Sequence, residues 1–393
     1  MNLPLEGTRV IELAQLIAGP YCSHQLAALG AEVIKIEPPG TGDFYRGRGG
    51  QTEHIGAGFL LYNSNKKSIT LNLKSARGVE IVNRLLEKAD VLVENYAAGA
   101  LEGFGLGYDD LAPRFPRLVY ASCKAYARTS RMARLGGLDF TVQASSGITS
   151  QTGYADRPGV RATAALVDTG TGMHLVAGVL AALLMRERTG VGQRVEVAML
   201  DVCIPAVSPI VVAAAEGFSY QRMGNRHPSA CPCNTFAAAD GEMMVYCLTD
   251  HHWATLARVM ERGDLADDPR CRTLAGRLKI IDEIEAAVTN WTSHKSRDEL
   301  TAALIEAGIP GAPVRIPDEI AADEELEQRD VLKRVEFPNR GPVRVLGSAL
   351  KLSAMGEVAS ARPPLLGEHT GEVLGTIGIG EAEIEELRRD RVI

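Results

Sequence analysis

The chain has 393 residues, 46% of them hydrophobic and 23% charged, and a formal net charge of −7. That length exceeds one ordinary hydrophobic core and implies two or three domains. The composition is globular and excludes disordered, collagen-like and coiled-coil classes. With an acidic balance and no long Lys/Arg run, no nucleic-acid partner is expected. The longest apolar runs, residues 175–185 and 202–215, fall short of the roughly 18 to 20 residues of a membrane span, and the second holds Pro205 and Pro209. No membrane partner is expected, and the first six residues carry no export signal, which implies a cytoplasmic location. The seven cysteines are an odd, scattered set that reads as free thiols. Cys231-Pro232-Cys233, with His227 nearby, lacks a second ligand pair, so no metal is expected.

Along the chain, Arg9 to Leu13 reads as a buried strand, residues 21–29 as a helix closed by Gly30, and 31–37 as a second strand stopped by Pro38-Pro39-Gly40. Strand 68–73, helix 78–88, strand 91–95 and strand 118–122 continue the alternation. Strands rich in β-branched residues alternating with helices imply a largely parallel sheet covered on both faces, an α/β fold. Ligands of such sheets bind at the carboxyl ends of strands, so segments 15–20, 38–48, 95–99 and 124–128 should converge on one rim. The first crossover, Ala14-Gln15-Leu16-Ile17-Ala18-Gly19-Pro20, lacks G-x-G-x-x-G, which argues against a dinucleotide site.

Asp168 stands where the apolar run Ala164-Ala165-Leu166-Val167, read as a strand, gives way to Thr169-Gly170-Thr171-Gly172 and a long helix ending at Gly190. The orphan N–H groups and positive dipole end of that helix would keep the carboxylate ionised at neutral pH. That arrangement suits a nucleophile; an ordinary N-cap is the plain alternative. A strand at 193–198 and an apolar helix follow. After Gly224-Asn225-Arg226-His227-Pro228 come a hairpin at 235–247 and helices at 251–261, 277–291 and 296–307. These imply a large domain in residues 1–225, a smaller α+β domain in 226–320, and a return to the large domain through 321–393 with a last helix at 381–389.

Over essentially its whole length the chain resembles the CaiB/BaiF family, the family III CoA-transferases, with its formyl-CoA transferase branch nearest. The motifs that carry this begin with Ala18-Gly19-Pro20, residues 29–37, Asn65-Lys66-Lys67-Ser68 and Asp90 to Tyr96. Asp168 with Gly172 and Met173, residues 188–193, Gly308-Ile309-Pro310 and Pro364 to Thr370 complete the set. The resemblance implies a Rossmann-like large domain, Asp168 as nucleophile, coenzyme A carried as acyl-CoA, small carboxylate acceptors and an interlocked homodimer. It assigns Ala18, Leu71, Lys74, Asn95, Tyr96 and Lys124 to coenzyme A, with Lys74 the natural phosphate partner. Gln15, Ile17, Asp139 and Arg226 are assigned to the substrate.

Departures from the branch bear on the substrate. Ile17 stands where formyl-CoA transferases have Gln, and Pro38 and Gly103 stand where they have Arg, so phosphates must find cations such as Arg46, Arg48, Lys124 or Arg128. The Gly-rich lid insert is absent as well. These changes disfavour oxalate and leave succinate with itaconate, mesaconate or a malate homologue. Alternatives within the fold are intramolecular CoA transfer, an α-methylacyl-CoA racemase and an inactive CoA-binding protein. Leu138 occupies the racemase His position, and leucine cannot move a proton.

Overall fold

The structure is a computed structural model that describes residues 3–47, 55–338 and 340–393. It divides into two compact units: residues 1–149, 161–217 and 324–393 form the large one, and 150–160 with 218–323 the small one. The small unit therefore takes in a segment, 150–160, that the sequence reading gave to the large domain. Its attachment is local: Arg222 donates to the backbone carbonyls of Ser150 and Tyr154 and caps that of Arg157, and Tyr154 bridges Met223.

The large unit runs β1 (Arg9–Leu13), α1 (Ala18–Ala28), β2 (Glu32–Glu37), α2 (Ala57–Tyr62), β3 (Lys66–Thr70), α3 (Ala76–Leu86) and β4 (Val91–Glu94). It continues with α4 (Tyr108–Leu111), β5 (Val119–Lys124), α5 (Asp139–Ser145), α6 (Ile148–Gln151, whose last two residues count with the small unit), α7 (Leu166–Thr189), β6 (Arg194–Ala198) and α8 (Met199–Ala215). The six strands form one parallel sheet in the order β3-β2-β1-β4-β5-β6, with Ile11 opposite both Ile34 and Leu92. This is the doubly wound order whose topological switch lies between β1 and β4.

Strand residues alternate between two cores, as the twofold side-chain period requires. On one face Ile11, Ile34, Ile69 and Leu92 pack with Ile81 and Leu85 of α3. On the other, Val10, Val33, Val91 and Val119 pack with Leu26 of α1 and with Leu175, Val176 and Val179 of α7. By length and composition α7 could cross a membrane, unlike the shorter run read from sequence; here one stripe of it lies in the core.

In the small unit β7 (Cys233–Ala238), β8 (Gly241–Tyr246) and a short β9 (Gly311–Pro313) make an antiparallel sheet. Around it lie α9 (Asp250–Val259), α10 (Gly263–Asp267), α11 (Leu274–Lys279), α12 (Ile281–Thr292), α13 (Arg297–Glu306) and α14 (Pro317–Ala321). Phe236, Val245, Trp253, Ile284 and Leu300 form its core. The chain then re-enters the large unit through α15 (Glu324–Gln328) and the hairpin of β10 (Leu332–Phe337) and β11 (Gly341–Leu346). Finally α16 (Thr370–Gly375) and α17 (Glu381–Arg389) add Val373, Leu374 and Leu387 to the first core.

Candidate active site

Because every strand of the large sheet is parallel, the segments after β1, β2, β4 and β5 all open on one edge. At the switch point the N–H of Gln15 donates to Oδ1 of Asn95 (2.8 Å) and the Asn95 amide donates back to the Gln15 carbonyl (2.7 Å). Leu16, held at φ +66°, donates its N–H to Asp43 Oδ1 (3.1 Å). Three strand ends are thereby tied together.

Beneath them lies a buried charge cluster. Lys35 meets Glu12 (2.6 Å), Asp43 (2.8 Å) and the Ala14 carbonyl (2.7 Å), while Lys66 meets Glu12 (2.8 Å) and the Pro20 carbonyl (2.9 Å). Burial alone would raise the Glu12 pKa, but the two ammonium groups pull it down to about 2. The cluster thus fixes both the loop after β1 and the first turn of α1.

That first turn has no side-chain cap. Among the described residues the N–H groups of Ala18 and Gly19 donate to no protein acceptor, and Pro20 has none to offer. Gly19 is required there, since a Cβ would stand 2.5 Å from that of Ala14.

The sequence expectation for Asp168 needs correction in two respects. Residues 161–165 are irregular and belong to no sheet; the Gln143 side chain bonds both the N–H and the carbonyl of Ala162, holding the segment in place of a ladder. Asp168 is consequently the third residue of α7, neither a strand end nor the N-cap, which is Ala165. The cap comes from another helix: Asp139, first residue of α5, accepts the N–H of Val167 (2.9 Å) and of Asp168 (3.1 Å) through Oδ2. Gln143 donates to its Oδ1 (2.5 Å). Asp139 therefore takes the donors expected to keep Asp168 ionised. Among the described residues no donor reaches the Asp168 carboxylate, and burial, with the Asp139 charge second, pushes its pKa up to about 7.

Gly172 fixes where this carboxylate sits. A Cβ on it would lie 2.8 Å from the Ala18 carbonyl oxygen and 2.9 Å from the Tyr21 ring, so α7 touches the first turn of α1 backbone to backbone. Asp168 is one turn earlier on the same stripe of α7.

Of the other sequence-derived residues, Leu71, Lys74 and Tyr96 line a groove of about 140 Å³ with Ile36, Pro38 and Phe104 at the ends of β2 to β4. Lys74 is exposed, and among the described residues its ammonium has no protein partner. Ile17 and Ala18 are buried at 7% and 3% exposure. Lys124 is already engaged, 2.6 Å from Glu94 and 2.6 Å from the Tyr96 carbonyl, which braces the loop carrying Tyr96. Arg46 is buried and doubly bonded to Glu37 (2.6 and 2.7 Å), which removes it from the candidate phosphate cations. Arg48 lies outside the described residues, and Arg128 is exposed beside Glu196. Arg226 belongs to the small unit, where Glu285 and Asp282 each hold it at 2.6 Å. Leu138 is 60% exposed immediately before Asp139.

Sequence reasoning missed Tyr21, Tyr45 and Tyr62. Burial first and then the Asp168 charge raise the phenol of Tyr45, and the same charge acts on Tyr62 after burial and Tyr45. Two of them had a signal in reach: Tyr21 directly follows Ala18-Gly19-Pro20, and Tyr62 stands just before the segment that opens β3.

The model of CoA-transferase family III matches residues 5–370. The chain is 35% identical to the succinyl-CoA:mesaconate CoA-transferase of Haloarcula hispanica, covering 96% of this chain and 97% of that one. To a formyl-CoA:oxalate CoA-transferase of Escherichia coli O157:H7 it is 33% identical over 100% of both. A CaiB/BaiF family protein from Brucella suis superposes with a TM-score of 0.85 at 33% identity, covering 96% of this chain and 100% of that structure. A Mycobacterium tuberculosis structure gives 0.81 at 30% identity, covering 94% and 99%. The chain belongs to CoA-transferase family III and is a CoA-transferase.

Proposed function

We propose that the chain moves CoA between small carboxylic acids through an aspartyl-CoA thioester on Asp168. The supporting observation is a carboxylate raised to about 7, with no donor among the described residues spent on it, one turn before the glycine at which α7 touches the uncapped first turn of α1. A weakly solvated carboxylate is more basic and more nucleophilic than one in water, and a substantial fraction is ionised at neutral pH.

In the first half-reaction an Asp168 oxygen attacks the thioester carbonyl, the C–S bond breaks, and CoA leaves as thiolate from a mixed anhydride. The thiolate then attacks the aspartyl carbonyl, releasing the donor acid as carboxylate and leaving the aspartyl-CoA thioester. An acceptor carboxylate repeats these steps in reverse, regenerating the Asp168 carboxylate as acyl-CoA departs. Each step places negative charge on a former carbonyl oxygen, and the N–H groups of Ala18 and Gly19 are the available donors for it. Leu71 and Tyr96 would line the path of CoA, with Lys74 toward its phosphates.

For the acids, succinate with itaconate, mesaconate or a malate homologue fits better than oxalate. Ile17 stands at the rim in place of a polar side chain, and a mesaconate-using enzyme is among the relatives. Assembly as a homodimer fits α8, where Ile204, Val211 and Val212 are 42%, 48% and 56% exposed on a single chain.

Incubation with succinyl-CoA, trapping with hydroxylamine and peptide mapping tests the reading. The adduct should sit on Asp168, and Asp168→Ala should lose transfer by roughly a thousandfold or more. An adduct elsewhere, or retained activity, would overturn the mechanism.

A further inference from the structure

Three phenols cluster around the start of α7 and the first turn of α1, with hydroxyl groups that no described residue engages. Tyr21, Tyr45 and Tyr62 are each partly exposed, and among the described residues none of their hydroxyls hydrogen-bonds a protein group. Contacts link them to the nucleophile in sequence. The Tyr21 ring lies against Gly172, one turn from Asp168, and meets the Tyr62 ring edge-on with centroids 5.8 Å apart. Gly58 is on the same face of α2 as Tyr62, four residues earlier, and the Tyr45 ring lies directly over it. A Cβ at Gly58 would stand 2.5 and 2.6 Å from two Tyr45 ring atoms. From below, Tyr45 is anchored by its N–H to Asp43 Oδ1 (2.9 Å), the same oxygen that holds Leu16. The absence of a side chain at Gly58 thus creates the seat for Tyr45.

The Asp168 charge is felt by Tyr45 and Tyr62, while among the described residues only burial and Asp139 shift Asp168 itself. Neutral O–H donors have a specific advantage in such a place. They can bind an oxygen of the substrate without bringing a positive charge that would stabilise the Asp168 anion and blunt its nucleophilicity.

We infer that Tyr45, seated on Gly58, and Tyr62 beside it determine acid specificity. Their hydroxyls donate to an oxygen on the acyl chain remote from the reacting carboxyl, which selects dicarboxylic over monocarboxylic acids. This rests on Asp168 being the nucleophile. Tyr21 completes the wall between them and α7.

The test uses the full-length enzyme with acyl-CoA donor and four- and five-carbon dicarboxylic acids, each paired with the monocarboxylic acid of the same length. Tyr45→Phe and Tyr62→Phe keep the rings, so Tm should be unchanged. KM for the dicarboxylic acid should rise about 10- to 100-fold with kcat within about twofold, while monocarboxylic acid kinetics stay put. Gly58→Ala should displace the Tyr45 ring and lower the same selectivity ratio without loss of folding. An unchanged ratio in both Phe variants would overturn the assignment, as would a wild-type enzyme that prefers the monocarboxylic acids. Trapping on Asp168 is measured in parallel: an adduct there with an unchanged ratio defeats only the tyrosine assignment, and no adduct in wild type defeats the aspartyl reading itself.

Discussion

Glu12 and Asp168 are both carboxylates withdrawn from water in the large unit, yet one is held near 2 and the other near 7. Glu12 is fully buried at the end of β1 and meets two ammonium groups and the Ser23 hydroxyl (2.5 Å). Asp168 is less buried but faces a second carboxylate and, among the described residues, no cation. Burial has the same sign in both, so the neighbours decide the outcome. The paired cluster builds a rigid floor under the strand ends, whereas Asp168 meets no neutralising partner among the described residues, as the proposed nucleophile would require.

The largest effect should come from unbalancing the floor. Glu12→Ala leaves Lys66 and Lys35 buried with one anion fewer, which should cost about 3–5 kcal/mol in denaturant unfolding. Adding Lys66→Met should recover much of that loss; if the double variant is no more stable than the single, lost packing and not uncompensated charge is responsible. Wild-type Glu12 stability, from a depressed pKa, is present above the ordinary carboxylate value and is lost as pH falls toward 2.

Asp168 should show the opposite sign at smaller size. Its folded pKa is raised, so its contribution is favourable below about pH 4 and is lost as pH rises through 7. Asp168→Asn should thus differ least from wild type at low pH and gain on it by roughly 2 kcal/mol of unfolding free energy between pH 4.5 and pH 8, read as a widening Tm difference, the full shift being discounted for partial contact with water. Equal Tm differences at the two pH values would show that the carboxyl is not strained in the folded state.

The sheet was legible because its strands carry continuous apolar runs broken by Gly and Pro, and strand ends in a parallel sheet must share an edge. Asp168 could be singled out from the sequence as a candidate, but its electrostatics could not. The reading assigned the helix donors to the nearest carboxylate in sequence, and the fold gives them to Asp139, 29 residues away. Arg46 failed as a phosphate ligand for a similar reason: Glu37, nine residues earlier, already holds it. Tyr45 was invisible because its meaning depends on Gly58, a packing partner no periodicity reports.

Asp139 offers the smallest and most discriminating change. Asparagine retains an acceptor oxygen and is a good helix cap, so Asp139→Asn should leave α7 capped while removing the negative charge beside Asp168. Because burial is the larger cause of the shift, the Asp168 pKa should fall by less than about one unit and stay above the ordinary carboxylate range. In a pH series of aspartyl-CoA formation, the rising limb near 7 should move to lower pH, and the rate at pH 6 should gain more than the rate at pH 8. Asp139→Ala should instead lose about 1 kcal/mol of stability as the N–H groups of Val167 and Asp168 lose their acceptor. A limb that stays in place in Asp139→Asn would mean that burial alone sets the charge on Asp168.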